Sequence, residues 1–257
     1  MPIQRNSIVV ADALAWCRSL EPGSVDVWWS SPEYNLGDPF RSGGNQSRKK
    51  RERYVYVGGT GKGDGNARDE AEYQAEQVAV LTEWHRALSD DGVAFYNHKV
   101  RIKDGRAISP LEWIFKTPFV LFQEVVWDRL GTPQVDTCRY LPVSERVYVL
   151  TKRPHLKLAN RDRLPDVWRF QPVYNTRAKG HPCPTHPGVV ASCLAVVPRP
   201  ADRRLLVADC YMGSGTSAHV ARQMGFDYIG CDRAEAYVRL ANERLATPPV
   251  PMLELSA

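Results

Sequence analysis

The chain has 257 residues, 43% of them hydrophobic, and a formal net charge of +5. That is enough apolar material for a full core, and too mild a charge to mark a polyanion-binding protein by itself. No apolar run approaches the ~18 residues of a membrane span, Met1-Pro-Ile-Gln-Arg-Asn6 lacks a secretion pattern, and the six cysteines are scattered without a Cys-x-x-Cys pair. These features argue against a membrane-spanning or disulfide-framed chain, and the expectation is a single domain, residues 1–257, in a reducing cytoplasm.

Along the chain, Ser7 to Ala11 is a short β-branched run, and Asp12 can cap a helix over Ala13 to Leu20. Glu21-Pro-Gly-Ser24 turns the chain into an apolar strand, Val25 to Ser30, which runs into the polar, proline-stiffened hook Ser31-Pro32-Glu33-Tyr34-Asn35. Residues 41–69 are rich in Gly, Lys and Arg with no sustained apolar period, which predicts a mobile basic loop with a brief extended piece at Tyr54 to Val57. Glu70 to Leu88 carries Tyr73, Val78, Val80, Leu81, Trp84 and Leu88 mostly along one helical stripe, and Ser89-Asp-Asp-Gly92 should end that helix before a strand at Val93 to Asn97.

A shorter helix (Ser109 to Phe115) and two strands (Phe119 to Trp127, Arg146 to Thr151) come next, followed by a basic, proline-rich stretch from Lys152 to Pro187. Val189 to Val197 reads as a helix, Leu205 to Asp209 as a buried strand, and Ser217 to Met224 as the helix after it. Asp227 to Cys231 is another strand, closed by Asp232, with a last helix over Ala234 to Leu245 that Pro248 terminates. Alternating strands and helices predict an α/β fold, a doubly wound, parallel-rich Rossmann-like sheet.

Between the last two of these strands lies Asp209-Cys-Tyr211-Met-Gly213-Ser214-Gly215-Thr216. A glycine turn from a strand into a helix lets backbone N–H groups approach a ligand, and an acidic residue roughly 20 positions on, here Asp232, is placed for ribose hydroxyls. Gly-x-Gly alone is equally compatible with a tight turn that binds nothing. The longer string resembles the Asp-Pro-Phe-x-Gly-Ser-Gly-Thr signature of the S-adenosylmethionine-dependent amino-methyltransferases of DNA, in the permuted order of their beta group. Ser31-Pro-Glu-Tyr-Asn-Leu-Gly37 resembles that family's Ser/Asp-Pro-Pro-Tyr loop, and Arg139-Tyr-Leu-Pro-Val-Ser-Glu145 and His181-Pro-Cys-Pro-Thr-His-Pro187 resemble blocks between the two. The resemblance implies that Asp209, Tyr211, Gly213, Ser214, Gly215 and Thr216 cradle the methionine part of S-adenosyl-L-methionine. It implies that Asp232 holds the ribose, that Asp12 holds the adenine amino group, and that His181 flanks the pocket. For Asp12 the helix N-cap stands as the alternative, and the two roles are compatible.

An exocyclic amino group is a poor nucleophile because its lone pair is delocalised into the ring, so it must be held by acceptors that localise that pair toward the methyl donor. A loop suited to this offers one side-chain oxygen, one carbonyl and a flat face: Ser31 Oγ, the Pro32 carbonyl and the Tyr34 ring stacked on a flipped base. Ser31 would also border the cofactor. Glu33 stands where the family usually has a second proline, which frees one φ angle at a cost of about 0.4–1 kcal/mol of preorganisation. Its carboxylate could point away, pair with a base, or mark lost activity. Ser rather than Asp before the proline resembles the cytosine-N4 members more than the adenine-N6 ones.

Eight basic residues face four acidic ones between Arg41 and Glu70, and eight face two from Thr151 to Gly180. The expected partner is double-stranded DNA, held by Arg41, Arg48, Lys49, Lys50, Arg51 and Arg53 from the first segment. Arg161, Arg163, Trp168, Arg169 and Tyr174 would serve from the second, a small target-recognition insertion over about 152–180, with Trp168, Arg169 and Tyr174 reading or wedging bases. Lys99, Arg101 and Lys103 are further phosphate candidates. A solvated basic surface is the plainer alternative for all of these. The prolines at 182, 184 and 187 argue against zinc at His181, Cys183 and His186, so no metal is expected. The resemblance also implies a homodimer and allows a cognate restriction endonuclease. An RNA or protein methyltransferase on the same scaffold, or a non-catalytic DNA-binding relic suggested by Glu33, remains open.

Overall fold

A computed structural model describes residues 4–35, 68–132, 138–172 and 184–247. The described strands are β1 (Ser7–Val10), β2 (Val25–Ser30), β3 (Leu88–His98), β4 (Arg101–Lys103), β5 (Arg106–Ile108), β6 (Val120–Asp128), β7 (Ser144–Thr151), β8 (Val167–Arg169), β9 (Leu206–Asp209) and β10 (Asp227–Asp232). The helices are α1 (Ala13–Ser19), α2 (Glu70–Ala87), α3 (Leu111–Ile114), α4 (Pro187–Ala195), α5 (Thr216–Gln223) and α6 (Glu235–Ala246). Eight strands form one sheet in the order β1-β10-β9-β2-β3-β7-β6-β8, in which β7 alone runs against the others. β4 and β5 make a separate hairpin.

Both faces of the sheet are covered, which is why its central strands read as continuous apolar runs rather than alternating ones. On one face α1, α2 and α3 bury Cys17, Tyr73, Leu81, Trp84 and Trp113 against Trp28, Tyr96 and Leu150. On the other, α4, α5 and α6 bury Val190, Leu194, Val220 and Ala241 against Val27, Trp29, Phe95 and Val207. Trp28 and Trp84 stack at 4.8 Å between ring centroids and 3° between planes, a pairing worth about 0.5–1.5 kcal/mol beyond the area it buries. The cap expected at Asp12 is present, and Asp69 supplies a second. Asp12 accepts from Ala15 N at the start of α1, and Asp69 accepts from Ala71 N and Glu72 N at the start of α2.

Three expectations need correction. The Ser89 to Gly92 stretch does not precede the strand but lies within β3, because the register jumps from Val25↔Leu88 to Val27↔Val93 and these residues bulge out between. The helix foreseen from Ser109 to Phe115 spans only Leu111–Ile114. The basic stretch after Thr151 contributes a strand, β8, beside β6. Tyr54 to Val57 and Pro248 lie outside the described residues.

The strands β9 and β2 are parallel neighbours, with Val27↔Val207 and Trp28↔Ala208 in register. From β9 the chain passes through α5 to β10 on one side, whereas from β2 it passes through α2 to β3 on the other. The two crossovers lie on opposite faces of the sheet. The β2/β9 boundary is therefore the point where strand order reverses, and the loops leaving both carboxyl ends diverge there and leave a crevice.

Candidate active site

That crevice is an open cleft of about 380 Å³, including solvent at its mouth, lined by Trp29, Ser31, Pro184, Thr185, Asp209, Tyr211, Met212, Gly213, Ser214, Thr216 and Ser217. The hook after β2 and the glycine turn after β9 thus open into the same space. Asp209 ties them together. Its Oδ1 accepts from the Ser30 hydroxyl and, at 2.9 Å, from Tyr211 N, and its Oδ2 accepts from the Ser217 hydroxyl. Burial raises the Asp209 carboxyl to about 6, against the pull of the Ser217 and Ser30 hydrogen bonds. With its oxygens spent on the turn, Asp209 shapes the cleft more than it faces into it.

Gly213 (φ +50°) and Gly215 (φ +75°) occupy the left-handed region. A Cβ on Gly215 would lie 2.8 Å from Ala241 Cβ and 3.1 Å from its Cα, so the second glycine also lets α6 pack against the turn. Gly213 N donates to Asp232 Oδ2 at 2.8 Å, and Ala234 N to Asp232 Oδ1 at 2.9 Å. Burial raises the Asp232 carboxyl above its ordinary value. Ala11 N donates to Asp232 O, so Asp12 sits at the end of the adjoining strand, exposed, with only Oδ1 engaged by the Ala15 cap. The first turn of α5 borders the cleft with backbone N–H groups that no helical ladder can use. Left-handed glycines, a helix N-terminus and two carboxylates at adjoining strand ends suit a ligand with an ammonio-carboxylate tail, a ribose and an adenine.

In the hook, Tyr34 Oη lies 3.0 Å from Ser31 Oγ, 3.0 Å from Asn97 Oδ1 and 2.9 Å from Glu145 Oε2. Burial, with the Glu145 charge behind it, holds the Tyr34 phenol well above its ordinary value, so it stays neutral. One face of its ring lies against His98, 4.4 Å between centroids. His98 is fully buried, and burial lowers it to about 3. Tyr73 donates to the Glu33 carbonyl at 2.7 Å and lies 2.8 Å from His98 Nε2, while Lys99 N donates to His98 Nδ1 at 2.8 Å. The assignment that gives every donor an acceptor makes His98 the Nε2–H tautomer, donating to Tyr73 Oη. The Glu33 side chain meets Arg233, whose Nη2 lies 3.0 and 2.9 Å from its two oxygens. This ion pair joins the hook to the residue after Asp232. Asn35 (φ +49°) braces the end of the hook, accepting from Arg68 N at 2.8 Å.

Of the residues predicted from sequence, the structure brings Ser31, Asp209, Tyr211, Gly213, Ser214 and Thr216 to one cleft, with Pro32, Glu33, Tyr34, Gly215, Asp232 and Asp12 in the segments that continue from it. His181, Tyr174, Arg41, Arg48, Lys49, Lys50, Arg51 and Arg53 lie outside the described residues. Arg161, Arg163 and Arg169 are exposed, Arg169 beside Asp128 at 3.5 Å. Trp168 is a correction. It is 8% exposed, packs in the core, and donates Nε1–H to Pro165 O, so its ring is turned away from the surface where a base-reading residue was expected. Arg101 is another: 3% exposed, it pairs with Glu70 at 2.7 Å under the hook. His186 caps α4 through Gly188 N and stacks on Phe170. Sequence reasoning missed Trp29, Tyr73, Asn97, His98, Glu145 and Arg233. A polar Asn-His pair closing an apolar strand, and the Ser144-Glu145 step into β7, were the available signals.

A crevice at the reversal point of a doubly wound sheet, with a glycine turn on one side and a polar hook on the other, is the α/β architecture in which nucleotide-like ligands are held. The chain belongs to the DNA methylase family of N6 and N4 amino-methyltransferases, whose model matches residues 25–243. Members of this family take their methyl group from S-adenosyl-L-methionine. The chain is 29% identical over 123 residues to the type II methyltransferase M1.MboII of Moraxella bovis, covering 45% of this chain and 46% of that protein. It thus spans about half the length of that curated relative. Its fold is similar to that of the cytosine-N4-specific PvuII DNA methyltransferase, with a TM-score of 0.72 at 15% identity, covering 99% of this chain and 91% of the other. TTHA0409 of Thermus thermophilus, solved with S-adenosyl-L-methionine, gives a TM-score of 0.61 at 19% identity over 93% and 94% of the two chains. Among the described residues no helix is long and apolar enough to cross a membrane.

Proposed function

We propose that the protein transfers a methyl group from S-adenosyl-L-methionine to the exocyclic amino group of a base flipped out of double-stranded DNA, with N4 of cytosine as the preferred acceptor and N6 of adenine as the alternative. The single observation that carries this reading is that Ser31 and the Tyr211 to Ser217 turn line one cleft at the sheet's reversal point.

In this reading Gly213, Ser214, Gly215 and Thr216 hold the methionine end of the cofactor, Asp232 takes its ribose and Asp12 its adenine amino group, with His181 and its neighbours alongside. The bound cofactor supplies an electrophilic methyl carbon on a sulfonium. Ser31 Oγ and the Pro32 carbonyl accept the two amino N–H bonds and turn the nitrogen lone pair toward the cleft. Because His98 covers one face of the Tyr34 ring, the base stacks on the other. The Tyr73 hydroxyl fixes the Glu33 carbonyl, and Arg233 fixes its carboxylate, so the missing second proline is offset by two contacts that hold the hook. That arrangement supports an active loop over a relic.

Phosphate contacts from the basic segments at 41–53 and 161–169 would carry the duplex, a homodimer would extend that surface, and a restriction endonuclease would be the natural counterpart of such an activity. The test is to incubate the protein with methyl-labelled cofactor and mixed-sequence duplex DNA, digest to nucleosides, and identify the label by mass spectrometry. N4-methylcytosine is expected. Label in RNA or in polypeptide and none in DNA would overturn the substrate class, and N6-methyladenine would overturn the base.

A further inference from the structure

Methyl transfer to an amino group leaves one proton too many on the product nitrogen, and the hook contains a path for it. Tyr34 Oη has a single hydrogen and three oxygen neighbours. Asn97 Oδ1 and Glu145 Oε2 can only accept, and the Asn97 amide is oriented by its donation to Arg146 O at 2.9 Å. The carboxylate is the nearer and the charged acceptor, so the Tyr34 hydroxyl donates to it. Tyr34 Oη then has room to accept, and Ser31 O–H is the donor within reach. This order points the Ser31 hydrogen inward and leaves its lone pairs free for a substrate N–H.

We infer that Ser31, Tyr34 and Glu145 form a proton relay that carries the released proton from the methylated base to Glu145. The inference rests on the reading of the site given above. As the new C–N bond forms and the C–S bond breaks, its electron pair staying on sulfur, the base nitrogen holds the excess proton. Ser31 Oγ takes that proton and gives its own to Tyr34 Oη, which gives its own to Glu145 Oε2. Both hydroxyls are restored, and the carboxylate becomes a neutral carboxylic acid.

Glu145 is 6% exposed and held by Arg129 Nη1 at 2.7 Å on its other oxygen. The ionisable groups facing it are Tyr34 from the hook and Arg129 from the end of β6. Arg146, its neighbour on β7, turns its guanidinium to Glu124, and His98 on β3 is engaged by Tyr73 and Lys99. Asn97 contributes an oxygen that cannot take up a proton, which leaves Glu145 as the acceptor on this path.

The variants are Tyr34→Phe, which keeps the ring and the Arg129 pair, and Glu145→Gln. Single-turnover methyl transfer should fall about 10²-fold in each, and the double variant should be no slower than the worse single one. The affinity for S-adenosylhomocysteine should stay within threefold of wild type. In cofactor-free protein labelled with ¹³C at glutamate Cδ, the Glu145 resonance should move in Tyr34→Phe. Variants within threefold of the wild-type rate, or an unmoved Glu145 resonance, would overturn the relay alone. A wild-type protein that labels no nucleic acid would overturn the reading of the site and the relay with it.

Discussion

Ser30 at the end of β2 donates its hydroxyl to Asp209 at the end of β9, and the same hydroxyl oxygen accepts from Cys210 N at 3.2 Å. This contact fastens the hook to the glycine turn through two residues 179 positions apart in the chain. Replacing Asp209 by Ala would leave the Ser30 and Ser217 hydroxyls and Tyr211 N–H buried without their acceptor, at about 1–3 kcal/mol each. Asp209→Asn keeps the shape and removes the charge, and its effect depends on pH. Because burial raises the folded-state value to about 6 from an ordinary 3.8, the folded protein binds more protons than the unfolded chain between those limits. The stabilisation from the protonated form is full below about 3.8 and is lost as pH rises through 6. Urea unfolding should therefore show Asp209→Asn more destabilised relative to wild type at pH 4.5 than at pH 7. A difference independent of pH would refute the raised value.

Arg233 and Glu33 are both substantially exposed, with side-chain exposures of 52% and 36%, so their ion pair adds about 0–1 kcal/mol to stability. Its effect should appear in cofactor affinity instead, because it joins the hook to the residue after Asp232. Arg233→Ala should change Tm by less than 3 °C while raising KM for S-adenosyl-L-methionine about three- to tenfold, more at low salt than at high salt. Glu33→Pro restores the stiffness of the family loop and should leave kcat within threefold of wild type. A large gain in kcat from Glu33→Pro would mean that the glutamate impairs the enzyme.

His98 carries a buried neutral imidazole that supports both Tyr34, by ring contact, and Tyr73, by hydrogen bond. Its folded value, lowered to about 3, lies below the unfolded 6.5, so the unfolded chain binds the extra proton in between. The stability it contributes is fully present above pH 6.5 and is lost as pH falls toward 3. His98→Leu would leave the Lys99 N–H without its acceptor and the Tyr73 oxygen without its donor. It should cost about 2–4 kcal/mol at pH 7 and proportionally less at pH 5, as followed by circular dichroism in denaturant. An equal cost at both values would mean that His98 does not titrate on unfolding.

How much of this was legible in the sequence depends on whether a residue acts through local pattern or through a partner far along the chain. The β2 strand, the capped α1 helix, the α2 helix, and the glycine turn with its acidic follower were all written in local periodicity and turn chemistry. The hook could be placed next to that turn because parallel neighbours send their loops to the same edge. Glu145 and Arg233 could not be read this way. Their roles arise from contacts 111 and 200 residues away, with Tyr34 and Glu33 respectively, and the polar step at Ser144-Glu145 signals a site without naming its partner. β8 was missed for another reason: three residues, Val167-Trp-Arg169, in a basic, proline-rich stretch carry too little alternation to register as a strand.

Trp168 shows what that omission cost. An aromatic beside an arginine in a basic stretch reads as a base-stacking group, yet the β6–β8 pairing sets it opposite Trp127 and turns its ring into the core, while Val167 and Arg169 on either side face solvent. The two neighbours therefore separate cleanly by experiment. Trp168→Ala should lower stability by about 3–5 kcal/mol, the cost of emptying a buried indole site, and the surviving folded fraction should keep its target sequence preference. Arg169→Ala should leave Tm unchanged within 2 °C and weaken DNA binding by a similar factor on all sequences, with a shallower dependence on salt. Reversal of this pattern, with Trp168→Ala stable but altered in sequence preference, would return the indole to the DNA surface.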